Sequence, residues 1–204
     1  MTDTESARED LAYLKTLIGR DDAGEVWRFT GRLFAAGGFL YGLQCLFHGA
    51  QILGFNPPGP ITLLFVAGPT VLFLIYLTIS IIRVGKDLKP QGTTGRAVSA
   101  FFSATGMINL VFLVIFLPPY LQSGDFRIWL FYPAVVFAVL GGAWYAAWQM
   151  RKKLWMLGTA LGWMVSAAAM GLTRGQVVYI LICGLCLFLF MMLPGIAMAR
   201  GKGA

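Results

Sequence analysis

The chain contains long stretches without a single charged side chain, and these constrain its fold more than any other feature. No Lys, Arg, Asp or Glu occurs in residues 33–82, 97–124, 128–150 or 175–199. A helix of about 20 apolar residues is long enough to cross a hydrocarbon core of about 30 Å. A water-soluble helix would need a polar face, and these stretches offer none. The sequence therefore predicts an all-α integral membrane protein whose first partner is the lipid bilayer.

Prolines, glycines and basic residues divide the apolar part of the chain into six predicted transmembrane helices. We expect these spans at residues 27–53, 61–82, 97–117, 128–149, 154–172 and 177–198. The turn "GFNPPGP" separates the first two spans, and the third is expected to stop at "LPPY", because adjacent prolines interrupt helical hydrogen bonding. The predicted organisation is a cytoplasmic N-terminal segment (1–25), a six-helix bundle (26–199) and a cytoplasmic tail (200–204).

The basic residues predict how the bundle is oriented. Of the 16 Lys and Arg residues, all except Arg127 and Arg174 lie on the side of the predicted bundle that carries the N-terminus. Because Lys and Arg are enriched in cytoplasmic loops, both termini are expected in the cytoplasm. Short loops and the lack of an N-x-[ST] sequon favour a bacterial inner (plasma) membrane. Tryptophans near the predicted span ends are expected in the interfacial belt; they are Trp27, Trp129, Trp148 and Trp155.

The N-terminal segment carries the one feature that membrane insertion does not require. The stretch "SAREDLAYLKTLIG", residues 6–19, predicts a short amphipathic helix with Ser6 as its cap and Gly19 at its end. Its apolar stripe consists of Leu11, Leu14, Leu17 and Ile18. The surrounding acids are unfavourable beside an anionic membrane and favour docking of residues 5–19 to a cytoplasmic protein. An in-plane membrane anchor is the alternative. No signal peptide is expected, because the first apolar stretch follows this charged segment.

A polar stripe runs along one face of the first predicted span. Its members are Tyr41, Gln44, His48 and Gln51, spaced i, i+3, i+7 and i+10. Polar groups in hydrocarbon must be paired, so the stripe should face protein or water. It fits hydrogen bonding between helices, a pathway for a solute, or a metal or haem site at His48, the only histidine. Asn109 in the third span, with Thr105, forms a second polar patch that could meet the stripe.

Two further patterns lie in the last two spans. "CGLC", residues 183–186, matches the C-x-x-C pair of thiol redox enzymes, although a thiolate at this depth is disfavoured by desolvation. Small residues at four-residue spacing in the fifth span predict close helix packing, with a homodimer face as the alternative. They are Gly158, Gly162 and Ser166.

These patterns favour a protein that is not an enzyme, with no catalytic residues, metal or cofactor. The net charge of +7 comes from span boundaries rather than one face, so nucleic acid is not an expected partner. The absence of carboxylates from the predicted spans argues against ion-coupled transport. The function that fits best is a regulatory, assembly or sensory membrane component that docks a cytoplasmic partner. The alternatives are a facilitator or channel for a neutral solute along the His48 stripe, and a quinone-linked redox enzyme that uses Cys183 and Cys186.

Overall fold

The computed structural model of the protein describes residues 23–85 and 92–201, which form helices joined by short turns and contain no β-strand. Six of the helical segments are long and apolar enough to cross a membrane, which confirms the predicted number of spans. The predicted docking helix lies outside the described residues, and so do its stripe residues Leu11, Leu14, Leu17 and Ile18.

Eight α-helices and two π-helical segments make up the described chain. The helices are α1 (Ala23–Ile52), α2 (Gly59–Ser80), α3 (Gly92–Ser123), α4 (Phe126–Trp129), α5 (Phe131–Arg151), α6 (Leu154–Leu172), α7 (Val177–Cys186) and α8 (Leu193–Ala199). One π-helical segment, Ile81–Gly85, continues α2, and the other, Leu187–Met192, joins α7 to α8. The sixth span, Val177–Ala199, is therefore one continuous rod with a π-helical middle.

The third span is longer than predicted. It does not stop at Leu117, because α3 continues through Pro118 and Pro119 and ends at Ser123. A proline removes the hydrogen bond from its own nitrogen to the preceding turn, but the residues after it keep their N–H groups and can complete another turn. Gly124, with φ 66°, ends the helix and donates its N–H to the Tyr120 carbonyl at 2.9 Å.

The spans pack side by side in an order that differs from their order along the chain. The first span packs most extensively against the sixth, and the fourth against the fifth. The fifth also contacts the sixth, the third packs on the fourth, and the second packs on the first. The second and third spans therefore stand at the margins, where only 6% of each most apolar window is buried, against 33% for the first and sixth. We call the end of the bundle at which α1 begins the proximal end, and the opposite end the distal end.

Glycines allow the first and sixth spans to approach each other at backbone distance. A β-carbon built on Gly31 would lie 2.5 Å from the Ala199 nitrogen, and one on Gly38 would lie 2.5 Å from the Met192 nitrogen. A β-carbon on Gly195 would meet the backbone nitrogen of Ala35. Small residues are typical of membrane helix interfaces, because van der Waals contact between backbones replaces the hydrophobic driving force that lipid removes.

Large side chains fill the interior of the bundle. Trp144, Trp163 and Met170 are fully buried there. At the proximal end Trp27 is only 3% exposed and packs edge-on against neighbouring indoles, with the Arg151 guanidinium 4.3 Å from its ring centroid. The expectation that Trp27 lies in the interfacial belt is therefore wrong. Its ring fills the space where the first, fourth and fifth spans meet.

The π-helical segment of the sixth span ends just before Pro194, and a side chain of the fifth span donates to a carbonyl in the preceding turn. The Leu193 N–H donates to Phe188, five residues back, as π-helical geometry requires. In an α-helix the Phe190 carbonyl would accept from residue 194, but Pro194 has no N–H. The indole N–H of Trp163 donates to this carbonyl instead, at 3.1 Å. The fifth span thus donates a hydrogen bond to a carbonyl in the turn that precedes the proline.

Two other prolines also follow a turn whose carbonyl accepts from a side chain of another span, with the accepting residue three positions before the proline instead of four. The Gln44 amide of the first span donates to the Val66 carbonyl at 2.9 Å, in the turn before Pro69. The Tyr179 hydroxyl of the sixth span donates to the Leu130 carbonyl at 2.6 Å, three residues before Pro133. Pro69, Pro133 and Pro194 thus each follow a turn in which one carbonyl is used in a contact between spans.

Candidate functional site

A cavity of about 550 Å³ opens at the distal end of the bundle. Its walls come from the last turns of α1, the junction between α4 and α5, and the start of α7. The side chains of His48, Gln51, Leu130, Gln176, Tyr179 and Ile180 line it. The lining is mostly apolar with a few polar groups, which is the usual composition of a site for a small molecule.

Two members of the predicted polar stripe belong to this cavity. His48 Nδ1 and Gln51 Oε1 lie 3.0 Å apart, within one turn of α1. With Nδ1 as the donor, the neutral imidazole leaves its Nε2 as an acceptor, and the Gln51 amide keeps its NH₂ group as a donor. In this tautomer the pair offers a ligand both an acceptor and a donor.

The other two members of the stripe serve the contact with the second span. Gln44 donates to the Val66 carbonyl at 2.9 Å, and Tyr41 shares a side-chain hydrogen bond with Thr70. The stripe is therefore divided: its proximal half joins two helices, and its distal half lines the cavity. The spacing alone could not reveal this division, because all four residues share one helical face.

Asn109 is positioned by the fourth span. Its Oδ1 accepts a hydrogen bond of 2.8 Å from the Tyr132 hydroxyl, which ties the third span to the fourth. Thr105 donates to the Phe101 carbonyl of its own helix at 2.9 Å. The patch predicted around Asn109 thus contributes to helix packing away from the distal cavity.

The cysteines form a pair that the C-x-x-C motif does not indicate. The Sγ atoms of Cys45 and Cys183 are 3.5 Å apart, although the two residues are separated by 138 positions in the sequence. Cys186, the other half of the motif, has Ser166 of the fifth span as its hydrogen-bonding neighbour. The two cysteines of "CGLC" thus face different helices, and sequence reasoning missed the pairing with Cys45.

The small residues of the fifth span face different surroundings. Gly162 lies under the ring of Phe190 from the sixth span, and Ser166 is beside Cys186. Gly158 has open space where a β-carbon would stand, so no neighbouring span covers it. Two of the three predicted packing residues therefore contact the sixth span.

The cavity offers neutral hydrogen-bonding groups and apolar walls, which suits a neutral or weakly polar molecule. Within residues 23–85 and 92–201, no three or more His, Cys, Asp or Glu side chains gather closely enough to hold a metal ion. No protein-family model, curated protein or solved structure matches this chain.

Proposed function

We propose that this protein is a sensory membrane component that binds a weakly polar molecule in the distal cavity and docks a cytoplasmic protein through residues 5–19. In this proposal the protein lies in a bacterial inner membrane, with its proximal end on the cytoplasmic side. The observation that carries the proposal is the continuity of α1, which runs for 30 residues without a break. It connects the cavity residues His48 and Gln51 to the segment that precedes Ala23.

The packing around α1 supports this role. The helix contacts the sixth span along its length through glycines, with little side-chain volume between the two backbones. A small displacement of one helix should therefore be transmitted along the contact. A ligand in the cavity would contact both α1 and α7, because His48 of α1 and Ile180 of α7 both line it. If it binds one relative position of these helices more tightly, it shifts the equilibrium towards that position. The N-terminal segment would move with α1.

The filled interior of the bundle also favours signalling over conduction. Fully buried Trp144, Trp163 and Met198 occupy the region between the cavity and the proximal end. A close-packed interior transmits displacement between elements, whereas a solute path requires polar or open space along the bundle.

The docking role predicts different effects for two charge substitutions in the N-terminal helix. Leu14→Asp places a carboxylate in the apolar stripe and should abolish co-purification of a cytoplasmic partner, because the buried charge would be unpaired. Thr16→Asp adds the same charge on the opposite face and should leave co-purification intact. The measurement is affinity purification from cross-linked cells with quantitative mass spectrometry. Equal recovery of the partner with both variants would contradict the docking role.

A facilitator remains a second candidate, because His48 and Gln51 line an open cavity. In that case His48→Ala should change glycerol or urea entry into proteoliposomes several-fold, measured by stopped-flow light scattering. Gln44→Ala is the matched control, since it removes the bond to Val66 and should lower thermal stability without this effect. A sensory protein should give the same solute entry as empty liposomes in both variants.

A further inference from the structure

The pair formed by Cys45 and Cys183 is the strongest chemical feature outside the proposed docking role. Their sulfurs lie 3.5 Å apart on different spans. A disulfide bond needs a sulfur separation of about 2.05 Å, so the two side chains must approach each other by about 1.5 Å. The helices are already close here, because a β-carbon on Gly184 would lie 3.2 Å from the Cys45 β-carbon. Small side-chain rotations can provide the remaining approach.

The two cysteines differ in accessibility, which suits a reaction in which Cys45 reacts before Cys183. Cys183 is buried, with 6% of its surface exposed, whereas Cys45 is partly exposed. Cys45 lies one turn before His48 on α1, and Cys183 lies one turn after Tyr179 on α7, so the pair sits directly beneath the cavity lining. A reagent that enters from the cavity would therefore meet Cys45 first.

The depth of the pair restricts the class of oxidant. Cys45 lies two turns before the end of α1 at Ile52, a depth of about 10 Å along the helix axis. Charged, water-soluble disulfides are poorly suited to this depth, because entry into an apolar region costs them their hydration. A lipid-soluble quinone is neutral, dissolves in the membrane and accepts two electrons. The amide NH₂ groups of Gln51 and Gln176, which line the cavity, are donors of the kind that recognises its carbonyl oxygens.

We propose that Cys45 and Cys183 form a reversible disulfide between the first and sixth spans, with a lipid-soluble quinone as oxidant. The Cys45 sulfur adds to the quinone ring and forms a carbon–sulfur bond. The Cys183 sulfur then attacks the Cys45 sulfur; the sulfur–sulfur bond forms, the carbon–sulfur bond breaks, and its electron pair stays on the ring. Two thiols lose two electrons and two protons, and the quinone gains both as a hydroquinone. This modification site goes beyond the proposed sensory role and does not rest on it.

The test uses the full-length protein in anaerobic nanodiscs, reduced beforehand, with a decyl-substituted benzoquinone as the oxidant. After denaturation, the remaining thiols are alkylated with N-ethylmaleimide and counted by intact mass. The wild type has three cysteines, and we expect two of them to become unreactive, with one hydroquinone formed per protein. Peptide mapping without reduction should show Cys45 linked to Cys183. This map requires no variant and therefore does not depend on the folding of a mutant.

Single substitutions identify the pair. Cys186→Ala should still lose two reactive thiols, whereas Cys45→Ala and Cys183→Ala should keep both of their remaining thiols. Three reactive thiols in the wild type after quinone treatment would overturn the proposal. A stable quinone adduct without a disulfide, or loss of two thiols in Cys45→Ala, would also overturn it, since the latter would assign the bond to Cys183 and Cys186.

Discussion

Gly195→Ala should destabilise the bundle by about 3 kcal/mol or more, the largest effect we expect from adding one methyl group. The β-carbon of the new residue would meet the backbone nitrogen of Ala35 and lie 2.8 Å from the Gly31 carbonyl oxygen. Neither atom is the end of a flexible side chain, so relief requires the first and sixth spans to separate along part of their contact. That separation forfeits van der Waals contacts, which are the main source of stability between membrane helices.

Gly142→Ala is the matched control for this prediction. Gly142 also lies inside a helix, but a β-carbon there would have no neighbour within 4 Å among the residues that the structure describes. The same chemical change should therefore be neutral, or slightly stabilising because Ala has the higher helix propensity. Denaturation in mixed detergent micelles, followed by circular dichroism, measures both variants against the wild type. Similar stabilities for Gly195→Ala and Gly142→Ala would show that the first and sixth spans are not in backbone contact.

Trp163→Ala should lower the free energy of unfolding by about 3–5 kcal/mol, which is the second large effect that we expect. The indole is fully buried, packs edge-on against Phe137 with ring centroids 4.6 Å apart, and donates to the Phe190 carbonyl. Truncation therefore leaves a cavity and also removes the hydrogen bond to the π-helical segment. Trp163→Phe restores most of the volume but not the donor, and should cost about 0.5–1.5 kcal/mol for the lost hydrogen bond.

Leu161→Ala provides the comparison for Trp163 within the same helix. Leu161 is 49% exposed on the surface of the bundle, where lipid replaces the lost contacts. We expect Leu161→Ala to change the free energy of unfolding by no more than about 0.5 kcal/mol. Thermal unfolding in one detergent compares the wild type with the two Trp163 variants and Leu161→Ala. If Trp163→Phe were as stable as the wild type, the hydrogen bond to Phe190 would contribute nothing to stability.

The number of spans could be predicted from the sequence because exclusion of charge from lipid acts on each segment separately. The contacts between spans could not be predicted in the same way. Nothing near Cys45 indicates that it faces Cys183, and Trp27 resembles an interfacial tryptophan until the fourth and fifth spans are placed around it. The shared helical face of Tyr41 and His48 likewise hides their different surroundings. These features depend on which helices become neighbours, and that information is distributed over the whole chain.

Prolines are a signal that could have been used further. Pro69, Pro133 and Pro194 each follow a turn whose carbonyl accepts a hydrogen bond from another span. In this protein the donors to these carbonyls are Gln, Tyr and Trp side chains of other spans. The extension of α3 past Pro118 and Pro119 shows the limit of treating proline only as a helix terminator.

The close contact between the first and sixth spans also affects how the protein is made. The ribosome delivers α1 to the membrane before the other spans, and the surface that carries Gly31 and Gly38 stays uncovered until Gly195 emerges. At typical translation rates this interval is on the order of ten seconds. A premature stop codon anywhere before the sixth span would leave that surface without its partner. Synthesis of the sixth span is thus the step that allows the first span to complete its packing.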